Sequence, residues 1–115
     1  MFQILSEAIM LKPFFVWQNK ELKKINPEDV ICLSTEGNYT RIYLADKTFY
    51  MVRSSLWGTL KKLPPDIFIK IHRSFVASIY HISSINKDYL VVRDEALPIG
   101  KRYYRSVLAK LNIIE

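Results

Sequence analysis

From Phe14 onward the apolar runs of this chain are short, and each is closed by a polar turn. Phe14–Val16 and Glu21–Ile25 flank Gln18-Asn19-Lys20, which reads as a hairpin turn. Val30–Ser34 runs into Thr35-Glu36-Gly37-Asn38, where glycine can take the positive φ of a tight reversal. Tyr39–Leu44 is rich in strand formers and turns at Ala45-Asp46-Lys47 into Thr48–Val52. Further strand signals fall at Ile67–Ile71, Phe75–Ala77, Ile82–Ile85 and Tyr89–Val92, the last two separated by Asn86-Lys87-Asp88. Tyr39–Leu44 and Thr48–Val52, joined by so short a turn, should pair antiparallel. The chain is therefore expected to be mostly β, in antiparallel sheets.

One or two short helices complete this reading. Ser54 or Ser55 is placed to cap a helix in which Leu56, Leu60 and Leu63, with Trp57 beside them, form one apolar stripe. Pro64-Pro65 ends it. Arg102–Leu111 puts Tyr104, Val107, Leu108 and Leu111 on one face and reads as a closing helix. Residues 1–12 stand apart from the domain at 13–115. Phe2, Leu5, Ile9 and Leu11 lie near helical spacing before Pro13 breaks the pattern. That segment is either a short docking helix or the end of a linker from an upstream domain.

A length of 115 residues, half of them hydrophobic, suits one domain with a real core and no need of disulfides or metal. Cys32 is the single cysteine, so no internal disulfide can form, which fits a reducing compartment. The apolar runs are too short to span a membrane, and the N-terminus lacks a basic stretch and a small-residue cleavage site. The expected location is the cytoplasm. Lys and Arg number 17 against 11 Asp and Glu, for a net charge of +6, which suits a polyanionic partner. Placement sharpens this. Residues 70–81 hold Lys70, His72, Arg73 and His81 with no acid, and residues 99–110 hold Lys101, Arg102, Arg105 and Lys110 with none.

The usual catalytic and cofactor signatures are missing. Three glycines, at 37, 58 and 100, make neither nucleotide-binding fingerprint. Two histidines and one cysteine supply no zinc spacing, so no metal or cofactor is expected. His72-Arg73-Ser74 places a His and a Ser close together, but a nucleophile and base are not expected there. The chain is not expected to be an enzyme.

Three polar clusters remain. Asn38-Tyr39-Thr40-Arg41 contains an Asn and an Arg, the side chains able to contact adenine and guanine edges in two places at once. The plainer reading is that Asn38 serves its turn and Arg41 is a solvated strand residue. In Phe68–Phe75, strand parity puts Ile69 and Ile71 inward and Lys70 and His72 outward. Arg73 would then face the core, where an unpaired Arg is rarely found. The strand is therefore expected to end at His72, leaving Arg73 on a loop and His72 as a packing residue. Pro98-Ile99-Gly100-Lys101-Arg102-Tyr103-Tyr104-Arg105 gathers three cations and two tyrosines at a helix start. Cations gain nothing from the dipole there, so they point to a partner.

In order and spacing these phrases resemble the LytTR DNA-binding domain of bacterial response regulators. The matching stretches are Ile31–Leu44, Val52–Leu56, Leu63-Pro64-Pro65 with Phe68, His72–Ala77 and Leu97–Tyr103. Together they cover roughly residues 14–112. The resemblance implies about ten short strands in small antiparallel sheets with little helix. It implies sequence-specific binding of duplex DNA by a transcription regulator, with loops entering successive major grooves. Carried over, the base-contacting positions fall at Asn38, Tyr39 and Thr40 with Arg41 beside them, at Arg73, and at Arg102. Ser74, Lys101 and Arg105 become neighbouring contacts, chiefly to phosphates. The family often has Ser where Gly100 stands here, and its usual acidic residue before the turn is replaced near Ser34. It commonly carries an upstream phosphoacceptor receiver domain, and two copies on repeated sites would suit a homodimer. Two other readings stand beside this one. One is a protein-interaction module without DNA binding, suggested by Phe14, Phe15 and Trp17. The other is single-stranded RNA stacked on Tyr39, Tyr43 and Tyr50.

Overall fold

The computed structural model describes residues 11–115. The N-terminal docking helix or linker end suggested by the sequence therefore lies mostly outside the described residues. Ten strands and two short helices follow in chain order. The strands are β1 (Phe14–Gln18), β2 (Glu21–Ile25), β3 (Val30–Glu36), β4 (Tyr39–Leu44), β5 (Phe49–Val52), β6 (Phe68–His72), β7 (Phe75–Ser78), β8 (Ile82–Ile85), β9 (Tyr89–Val92) and β10 (Glu95–Pro98). The helices are α1 (Leu56–Leu60), between β5 and β6, and α2 (Tyr104–Ala109), after β10. All pairings are antiparallel. A five-stranded sheet has the order β5-β4-β3-β7-β6, a three-stranded sheet the order β10-β9-β8, and β1 and β2 form a separate ribbon.

The turns explain the register. Asn19 and Lys20 both take positive φ, 49° and 68°, the twist that matches a two-residue hairpin to its strands. Gly37 takes φ +59° at the β3–β4 reversal, which shortens the expected four-residue turn to Gly37-Asn38 and extends β3 to Glu36. Ser55 caps α1, its Oγ accepting from the Gly58 amide at 2.9 Å.

Two local expectations change. Trp57 is not part of the apolar stripe of α1; it is 62% exposed, while Leu56 and Leu63 are buried. The helix also stops at Leu60, before the prolines, in a tightened turn where Lys62 bonds Thr59 and Leu63 bonds Leu60. Glu95–Pro98, which lies outside the strand signals of the sequence, is the edge strand β10. Proline is tolerated there because an edge strand needs only half its ladder.

The five-stranded sheet is buried on both faces. Leu33, Ile42, Phe68 and Val76 pack with Leu56 and Leu63 under α1. Cys32, Ile69, Ile71 and Ala77 pack on the other face with Leu90, Val92, Ile99 and Val107, from the three-stranded sheet and α2. Phe68 and Ile69 are consecutive yet belong to different cores, so β6 is fully buried at its start. Each such side chain contributes roughly 1.5–3 kcal/mol by burial. The central strands that carry them are thus a rigid base for whatever their loops present.

Candidate nucleic-acid interface

Register brings three of the polar clusters to one end of the five-stranded sheet. The β3–β4 tip, Gly37-Asn38, closes on the Glu36–Tyr39 pair. The β6–β7 tip, Arg73-Ser74, closes on the His72–Phe75 pair. Ser34 pairs with Phe75 across β3 and β7, so both tips leave the sheet at the same end. The Ser74 carbonyl accepts from the Thr35 amide at 3.0 Å and from the Thr35 hydroxyl at 3.2 Å, which ties the two tips together. The third segment joins from the far edge. The Gly100 amide donates to the Ile71 carbonyl at 2.9 Å, and Tyr103 then bonds back to Gly100 to start the turn into α2. Lys101 and Arg102 lie on that turn and are exposed.

His72 holds the middle loop. Its Nδ1 accepts from the Ser74 amide at 3.1 Å, and its ring packs against Phe75 with centroids 5.6 Å apart. It is half-buried and packs as the sequence suggested, while Arg73 projects from the turn, exposed. Gly100 sits beside this ring. A Cβ there would come within 2.9 Å of the Tyr103 ring and 3.7 Å of His72. Tyr103 thus fills the space that a side chain at position 100 would need.

The nine residues singled out by sequence divide into exposed and structural groups. Asn38, Tyr39, Arg73, Lys101, Arg102 and Arg105 are exposed, and Ser74 is half-buried. Thr40 is different. It is fully buried, and its hydroxyl donates to the Ser54 carbonyl at 2.8 Å, so its side chain has no surface to offer a ligand. Arg41 is committed within the chain. It pairs with Glu36 at 3.4 Å, lies 4.5 Å over the Phe49 ring and donates to the Tyr43 hydroxyl at 3.4 Å. That hydroxyl contact, followed by Glu36, holds its proton above the ordinary arginine value. Its chemical effect is to neutralise Glu36, the acid beside the first tip.

One cation was missed by the sequence reading. Thr40 pairs with Val52, so the next residue, Arg53, lies beside Tyr39 at the loop end, exposed. The β4–β5 register would have pointed to it. The two ion pairs among the described residues leave Arg53, Arg73, Lys101, Arg102 and Arg105 out. The tyrosine platform for single strands does not form: Tyr50 packs into the core under α1 and Tyr43 into the other. No group of ligands suited to a metal ion occurs among the described residues.

A rigid β domain that gathers guanidinium and ammonium groups outside any ion pair on three loops at one end has the architecture of a nucleic-acid-binding module. Comparison with known proteins gives the family. The model of the LytTr DNA-binding domain matches residues 20–112, and the chain belongs to the LytTR DNA-binding domain family. It is 30% identical over 95 residues to the sensory transduction protein LytT of Bacillus subtilis, covering 77% of this chain and 39% of that protein. It is 26% identical, again over 95 residues and 39% of the relative's length, to LytT of Enterococcus faecalis. The chain thus spans about two-fifths of these relatives. A LytTr DNA-binding domain from Bacillus cereus has the same fold, with a TM-score of 0.76 at 21% identity, covering 90% of this chain and 99% of that one.

Proposed function

We propose that this domain binds duplex DNA sequence-specifically as the output module of a response regulator, with its three loops in successive major grooves. The observation that carries the reading is the convergence of the Gly37-Asn38, Arg73-Ser74 and Lys101-Arg102 turns at one sheet end. Arg73 and Arg102 read guanine edges and Asn38 reads an adenine, since these side chains make two-point contacts there. Ser74, Lys101, Arg105 and Arg53 hold phosphates and set the register. Tyr39 flanks Asn38 and packs on the sugar–phosphate edge. Thr40 and Arg41 act from behind, holding the first loop.

The domain works without catalysis and without a cofactor, in the cytoplasm where the chromosome lies. No helix among the described residues is long and apolar enough to cross a membrane. Residues 1–12 are an N-terminal segment or the end of a linker, and 13–115 form the DNA-binding unit. Two copies on repeated sites pair as a homodimer.

Selection of bound duplexes from a random pool, at stated salt, tests the reading. A defined consensus is expected. On it, the three cations assigned to phosphates should give a slope of log affinity against log salt of roughly −3. Equal binding to every duplex would remove the specific-reader claim, and absence of binding at low salt would remove DNA altogether.

A further inference from the structure

Between α1, β6 and α2 there is an open groove of about 380 Å³. Its walls include Trp57, Leu60, Pro65 and Tyr103, and its rim carries Lys61, Lys70 and Lys110. No carboxylate lines it. Trp57 is 62% exposed on a helix whose outward positions need no apolar residue at all. A large aromatic left in water beside a concave apolar surface is the residue type that dominates binding interfaces. Lys110 also reaches across the groove: its Nζ donates to the Pro65 carbonyl at 3.3 Å while staying exposed.

The two chemistries of this groove select one occupant. A nucleic-acid backbone would answer the lysines, but it would gain little from Trp57, Leu60 and Pro65. A purely apolar partner would leave three ammonium groups beside it unanswered. A peptide with apolar side chains on one face and carboxylates along its flanks satisfies both. We propose that the groove between α1 and α2 docks an acidic amphipathic segment of a partner protein. Its apolar side chains would lie on Trp57 and Leu60, and its carboxylates would meet Lys61, Lys70 and Lys110. The groove runs along the edge strand β6, and Tyr103 is the lining residue that follows the Lys101-Arg102 turn at the loop tips.

The test uses the full chain carrying Trp17→Phe, which leaves Trp57 as the single indole. The probe is a synthetic helical peptide with leucines at i, i+3, i+4 and i+7 and glutamates on the flanks. Controls are its scrambled sequence and the same peptide with lysines for glutamates. A saturable shift of Trp57 emission is expected with the first peptide and not with the controls. Lys61→Gln with Lys110→Gln should weaken it roughly tenfold, while duplex affinity measured by anisotropy stays within about threefold of the parent. Trp57→Ala, followed by a label on the peptide, should weaken binding similarly with an unchanged melting curve. An absent shift, equal binding of the scrambled peptide, or indifference to both lysine changes would overturn the proposal. So would displacement of the peptide by duplex DNA, which would assign the groove to the nucleic-acid surface.

Discussion

The Ser74 carbonyl takes two hydrogen bonds from Thr35, one from its amide and one from its hydroxyl, at 3.0 and 3.2 Å. This contact lies just behind two loop tips that are 36 residues apart in the chain, counting from Gly37 to Arg73. It turns two independent hairpins into one surface whose spacing is set by the sheet. Recognition by loops depends on such ties, because a loop contributes specificity only when its geometry is fixed before the ligand arrives.

Removal of the two projecting guanidinium groups should separate base reading from charge. Arg73→Ala and Arg102→Ala are each expected to cost roughly 1–3 kcal/mol on the selected site and to flatten preference at distinct base pairs. Arg53→Ala should weaken all duplexes evenly and reduce the salt slope by about 1. Repeated selection with each variant checks this.

Thr40 is a buried anchor in this structure. Thr40→Val should cost about 1–3 kcal/mol of stability, because it orphans the Ser54 carbonyl, whereas Thr40→Ser keeps the hydroxyl. Well below the melting temperature both variants should bind the selected duplex like the parent. A large loss of affinity in stable Thr40→Ser would instead place this side chain at the DNA.

Arg41 and Glu36 should couple. Arg41→Gln leaves the Glu36 carboxylate unpaired near incoming phosphates, so duplex affinity is expected to fall severalfold at low salt. Glu36→Gln in the same chain should restore it. A double variant no better than Arg41→Gln would point to direct contact by Arg41.

Gly100→Ser must push the Tyr103 ring, whose Cδ2 would lie 2.9 Å from the new Cβ. The single change is expected to lower the melting temperature, and Tyr103→Ala in the same chain should relieve the clash. A coupling of roughly 0.5–3 kcal/mol in a double-mutant cycle is the expected signature.

Cys32 should be unreactive in the folded domain. Burial, with a smaller effect from Glu95, pushes its thiol from 9.0 up to about 12. At pH 8 a thiol reagent should therefore modify it only on unfolding. The sign for stability follows. Above pH 9 the unfolded chain loses this proton while the folded chain keeps it. Stability should then fall by about 1 kcal/mol per pH unit until the pH reaches the folded value. Cys32→Ser should change that slope, measured by urea melts at pH 8, 9 and 10.

Much of this architecture is local chemistry written along the chain. Strand-forming runs, Asn19-Lys20, Gly37, the Ser55 cap and the stop at His72 act over a few residues, so the mostly β class, the hairpins and the exposure of Arg73 follow from sequence. The ordered phrases from Ile31 to Tyr103 also carry the family. Packing decided the rest. Burial on both faces put Thr40 in the core, where its hydroxyl needs Ser54. It also turned Arg41 onto Phe49 and Glu36. Pairing across β4 and β5 brought Arg53 beside Tyr39, and the Gly100–Ile71 bond brought Lys101 and Arg102 to the tips. These are relations between residues distant in the chain. They are set by strand register and by the need to satisfy buried polar groups, and a run of neighbouring residues does not encode them.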